Sequence, residues 1–157
     1  MSKFNIAEVL KEQGSASNKG EEKPVVIASI DEVTFVIKPT EDTIGDYPLH
    51  WYQIASELVG TVIDKLSLDS LFGEIINVTT PPAGYTNAVS FKNLPHYFSI
   101  AFHETNFVMG IVLKFSAGAL AHYRDAFKEY FGESIDVHGM SKLLDEPYWE
   151  LRISRID

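Results

Sequence analysis

Apolar and polar residues fall along the chain in blocks with two different periods. Val25 to Ser29 and Val33 to Lys38 are rich in β-branched residues, which suit a pleated, half-buried surface, and predict two strands, the second closed by Pro39. From His50 to Asp64, Trp51, Ile54, Ala55, Leu58 and Val62 recur three and four apart, which predicts a helix anchored by Trp51. The apolar run Leu71 to Val78 predicts a strand, and the two prolines within Thr79 to Gly84 predict a turn. Tyr85 to Phe91, Tyr97 to Phe102 and Phe107 to Phe115 read as three successive strands with hairpin-length connections. Ser116 can cap a helix from Ala117 to Phe131, which Gly132 ends. Leu120, Tyr123, Phe127, Tyr130 and Phe131 share one face of it, and this stripe is expected to be core rather than a base-stacking platform. A shorter helix, His138 to Leu144, follows Asp136, and Tyr148 to Asp157 alternates as a last strand. The order β-β-α-β-β-β-β-α-α-β describes a single α+β domain over residues 25–157, a mainly antiparallel sheet packed by two or three helices. Ahead of it, residues 1–24 read as a tail with a short amphipathic helix (Lys3 to Glu12) and a flexible linker (Gly14 to Gly20).

Composition narrows the class. The 157 residues are 45% apolar and 12% aromatic, enough for a real core and too much for a disordered chain. The absence of cysteine excludes a thiol nucleophile, a zinc-thiolate site and a disulfide, and makes a reducing cytoplasm the simplest home. No apolar run approaches the roughly 20 residues of a membrane span, so a membrane partner is not expected. Net charge is −9, a poor start for gripping phosphates in general. The imbalance is local: residues 25–90 carry nine acids and two bases, whereas residues 91–157 carry nine and seven. Ordinary solubility accounts for this. So do repulsion from DNA on one face and mimicry of a phosphate backbone, with Glu41, Asp42 and Asp46 as the residues that would meet a basic protein partner.

The terminal strand carries the most chemistry. Alternation places Trp149, Leu151 and Ile153 on one face and Glu150, Arg152 and Ser154 on the other. The apolar face is then continued by Arg155 and Asp157, so a core face turns ionic at its end. A strand emerging into solvent would do this. So would a polar site in which Asp157 binds a metal and Arg155 a phosphate.

Here the chain resembles a known family. Met109 to Phe127, a short helix, and Tyr148 to Asp157 are similar to the rolling-circle replication initiation factors of plasmids, phages and transposons. The matching pieces are Met109-Gly110, the Ser116 and Gly118 turn (with Ala117 inserted), and Ser154-Arg155-Ile156-Asp157 with Ser for Thr. Upstream, Ile30 to Phe35, Ile63-Asp64-Lys65-Leu66 with Leu71-Phe72, and Gly84-Tyr85 also fit. The resemblance implies nicking and joining of single-stranded DNA by a tyrosine, assisted by Mg or Mn. The family's nucleophilic tyrosine lies beyond the last matching strand, so none of the seven tyrosines here can be carried over as nucleophile. The expectation is an amino-terminal fragment or a shortened relative. It would bind DNA, or a DNA- or RNA-processing protein, without catalysis, through Arg152, Arg155, Ser116 and Gly118, with a homodimer left open. The first residues, SKFNIAEVLKE, are similar to some ParB-like partition proteins. The alternative is an acidic phage-borne inhibitor of a host defence nuclease, of the anti-CRISPR kind.

Other chemistry finds little support in the sequence. His50, His96, His103, His122 and His138 are scattered, with no HExxH pair. There is no GxSxG elbow, GxGxxG loop or Walker loop. Ser116-Ala117-Gly118 could offer backbone N–H groups to an anion, or simply cap a helix.

Overall fold

The computed structural model describes residues 32–40 and 47–156. Six antiparallel strands form one sheet, in the order β2-β3-β4-β5-β1-β6. Strand β1 is Glu32–Pro39, β2 Ile75–Asn77, β3 Asn87–Phe91, β4 Phe98–Phe102, β5 Ile111–Ser116 and β6 Trp149–Ile156. The helices are α1 (Tyr47–Leu66), α2 (Leu68–Phe72), α3 (Ala117–Phe131) and α4 (Val137–Leu144). Strands β2 to β5 make a meander, β1 lies beside β5, and β6 closes outside β1. The α+β expectation holds. The strand expected at Val25 to Ser29 and the N-terminal helix lie outside the described residues.

Alternation divides each strand between two faces. Val33, Phe35 and Ile37 of β1 share a buried face with Ile111, Leu113 and Phe115 of β5 and with Phe98, Ile100 and Phe102 of β4. The helices pack on this near face. Phe72 of α2 sits at the centre, its ring 5.5 Å from Phe91, 5.4 Å from Phe98 and 6.0 Å from Tyr123 of α3, in edge-to-face arrangements. Trp51 of α1 is buried and donates its indole N–H to the His103 carbonyl at 2.9 Å. Lys65 of α1 forms an ion pair with Glu146, which follows α4.

Tyr123 is buried among these rings, and its hydroxyl donates to the Leu66 carbonyl at 2.8 Å. Burial disfavours the phenolate and pushes the Tyr123 pKa well up. In the unfolded chain the phenol ionises near pH 10. The folded state holds it neutral, so this contribution to stability is complete below about pH 10 and is lost as pH rises further. Tyr123→Phe is therefore expected to cost about 1–2 kcal/mol at neutral pH. Urea unfolding at neutral and alkaline pH checks this, with the variant losing less stability than the parent above about pH 10.

Four local expectations need correction. Leu71 and Phe72 are not in a strand. Ser67 adopts a left-handed conformation (φ 56°), breaks off α1, and lets Leu68, Leu71 and Phe72 bury one face of a short helix before the three-residue β2. Phe107 to Phe115 is not one strand, because Phe107–Met109 forms a 3₁₀ turn and β5 starts only after Gly110. The aromatic stripe of α3 is core only in its first half. Leu120 and Tyr123 are buried, whereas Tyr130 is 62% and Phe131 44% exposed at the last turn of the helix.

The fourth correction concerns β6. Ile153 pairs with Phe35, but Arg155 pairs with Thr34 and Ile156 with Val33, so a bulge falls at Ser154. The extra residue exchanges the alternation beyond it. Arg155 does not continue the row of Trp149, Leu151 and Ile153; Ile156 takes the register position beside Val33.

Candidate nucleic-acid interface

The far face of the sheet, turned away from the described helices, collects residues from four strands. Thr34, Val36 and Lys38 of β1 alternate with the core row. Register places Lys114 of β5 opposite Thr34 and Val112 opposite Val36. On the other side of β1, Arg155 is opposite Thr34, Arg152 opposite Val36 and Glu150 opposite Lys38. Ser99 of β4 lies opposite Lys114. Tyr97 extends this row: its carbonyl accepts from the Ser116 N–H at 3.1 Å, and its hydroxyl lies 3.2 Å from the Ser99 hydroxyl.

Burial and charge give this face its character. Thr34, Val36, Ser99 and Ala101 of this face are buried, whereas Tyr97 is 51% exposed and Arg152 is exposed. Lys114 forms an ion pair with Glu32 at 3.4 Å and still leaves much of its side chain in water. Counted by strand position, the far face holds four bases (Lys38, Lys114, Arg152, Arg155) and two acids (Glu32, Glu150). The other described residues hold five bases and eleven acids. Among the described residues the far face is thus net positive by two and the rest net negative by six, and an exposed aromatic ring stands at one end of that face. Such a surface can offer cations to phosphates and a ring face to an unstacked base.

The residues singled out in the sequence are placed as follows. Arg152 and Arg155 occupy the far-face positions of β6, and Ser116 ends β5 opposite Glu32, at the same end of the sheet as Arg155. The Ser116 hydroxyl accepts the Ala119 N–H at 3.2 Å and so caps α3. Gly118 lies directly under the His96 imidazole, where a Cβ would come 2.2 Å from Nδ1. That ring covers the first turn of α3. Asp157, Glu41, Asp42 and Asp46 lie outside the described residues. Among the described residues no three His, Asp or Glu side chains converge as metal ligands. Among them, too, no helix is long and apolar enough to cross a membrane.

Sequence reasoning did not pick out Tyr97, Lys114 and Lys38 as partners of Arg152. The available signal was alternation: Ser99 falls between core residues, as do Val112 and Lys114, and Tyr97 stands just before the first core residue of β4. What joins them is strand order. The chain matches no protein-family model, no curated protein and no solved structure.

Proposed function

We propose that this protein binds single-stranded DNA on the far face of its sheet without cutting it, as a mobile-element protein with a replication-initiator-like scaffold. The observation that carries this reading is the net positive far face, where by register Lys38, Lys114, Arg152 and Arg155 stand against Glu32 and Glu150 with Tyr97 exposed at one end, in a chain of net charge −9. An extended strand laid across β4, β5, β1 and β6 would meet Tyr97 at one side. It would reach β6 about 14 Å across the sheet, at about 4.8 Å per strand, with Arg152 roughly 20 Å from Tyr97 once its offset along the strands is added. Single strands suit this geometry, since their bases can turn out and stack while their phosphates track the cations.

The experiment is fluorescence anisotropy with a labelled oligothymidylate at low salt. Lys114→Glu and Arg152→Glu should each weaken binding about tenfold, or roughly 1.4 kcal/mol. Tyr97→Ala should cost about 1–3 kcal/mol if one base stacks on the ring. The reading fails if the double reversal binds as the parent does.

The acidic remainder of the surface favours a second reading: docking on a basic nucleic-acid enzyme of a host, as a phage-borne inhibitor would. Glu41, Asp42 and Asp46 belong to that reading. An oligothymidylate that does not bind, with a basic nuclease that does, would favour it over the first.

A further inference from the structure

On the near side of the sheet, far from the basic row, a cleft of about 270 Å³ opens between α1 and strands β2 to β4. That volume is about nine waters at roughly 30 Å³ each. Its lower walls are apolar, formed by Val59, Val89, Ile100 and Phe102. Tyr52, Ser56, Asn77, Thr86 and Asn87 supply its polar groups, and among the described residues no Lys, Arg, Asp or Glu lines it. Tyr52 is 53% exposed, with its ring 6.0 Å from Phe102 and tilted by 57°.

A hydrogen-bond relay fixes one of these groups. The backbone N–H of Glu104 donates to the Thr86 hydroxyl at 2.8 Å, and that hydroxyl donates to Asn87 Oδ1 at 2.7 Å. In this arrangement Asn87 Oδ1 accepts from the hydroxyl. Its Nδ2 group is left to donate outward. The Ser56 hydroxyl donates to the Tyr52 carbonyl at 2.9 Å and keeps its lone pairs for a donor from elsewhere. Among the described residues the site therefore combines an aromatic wall, an apolar floor, an amide donor and no charged side chain. Phosphates and carboxylates meet no described cation in it. A small planar ring with adjacent carbonyl and N–H groups has a partner for each part.

We infer that this cleft is a binding site for a neutral pyrimidine ring, its face against Tyr52 and a ring carbonyl accepting from Asn87 Nδ2. The inference is independent of the DNA platform, since the two surfaces lie on opposite faces of the sheet and share no residue.

The test uses the full chain, isotope-labelled, with uridine as probe at millimolar concentrations and methyl glucoside as a neutral polar control. Uridine is expected to shift the Asn87 side-chain amide and Tyr52 ring signals in the NMR spectrum, and the glucoside is not. Asn87→Asp replaces the donor by an acceptor of the same shape and should weaken uridine at least about tenfold. Tyr52→Ala, at a half-exposed position, should weaken it as well, with an unchanged far-UV circular dichroism spectrum showing that the variant folds. Uridine shifting neither signal, the glucoside shifting them equally, or both variants binding uridine like the parent would overturn the inference.

Discussion

Gly110→Ala is expected to destabilise the protein by about 3 kcal/mol or more, since its backbone region alone strains a non-glycine residue by roughly 1–3 kcal/mol. Gly110 stands between the 3₁₀ turn and β5 with φ 66° and ψ −161°. A Cβ there would also come 2.5 Å from the Ile37 carbonyl oxygen and 2.7 Å from Lys38 Cγ. Both groups belong to β1, which lies between β5 and β6, so relief would require moving an interior strand. Gly132→Ala is the control. Gly132 ends α3 at φ 79° but has open space where a Cβ would sit, so it should lose only about 1 kcal/mol. Urea unfolding with a constant m-value separates the two. Equal losses would mean that the close approach of Gly110 to β1 is unimportant.

Trp51→Ala is expected to remove about 3–5 kcal/mol through the lost ring and its cavity. It would also leave the His103 carbonyl, at the end of β4, without its indole donor, at a further cost of roughly 1–3 kcal/mol if no water replaces it. Together these approach the whole stability of an ordinary domain, about 5–15 kcal/mol, so the variant should be largely unfolded at physiological temperature. Trp51→Phe separates the parts. It keeps most of the apolar volume and loses only the N–H, so it should fold and melt a few degrees lower. If Trp51→Ala melted as Trp51→Phe does, the ring would not be the clamp between α1 and β4 that its burial indicates.

Much of this architecture could be read from the sequence because its signals are local. Helix α3 has Ser116 as a cap that accepts the Ala119 N–H, a long apolar period, and Gly132 at its end, so both its boundaries are written in the chain. Asp136 likewise caps α4 through the Gly139 N–H. The signal failed where it was short or non-local. A five-residue helix such as Leu68–Phe72 has too few turns to separate its period from that of a buried strand. The bulge at Ser154 exists only in the pairing of β6 with β1 and leaves no mark on β6 alone. The far-face row has the same difficulty. Tyr97, Lys114 and Arg152 are single polar residues in separate alternating segments, and only the placing of β1 beside β5 and of β6 beside β1 brings them to one face. The cleft depends on Thr86, Asn87 and Glu104 meeting across β3 and β4, which no spacing announces.

The central claim is that an acidic protein offers one basic sheet face to a single-stranded DNA backbone. The most direct measurement is the dependence of oligothymidylate affinity on salt concentration. Four far-face cations on four phosphates, at roughly −0.7 each, give a slope of about −3 in log affinity against log salt. The Lys114→Glu, Arg152→Glu double variant should flatten that slope by about half. A parent protein that does not bind at low salt, or a slope that the double reversal leaves unchanged, would contradict the account.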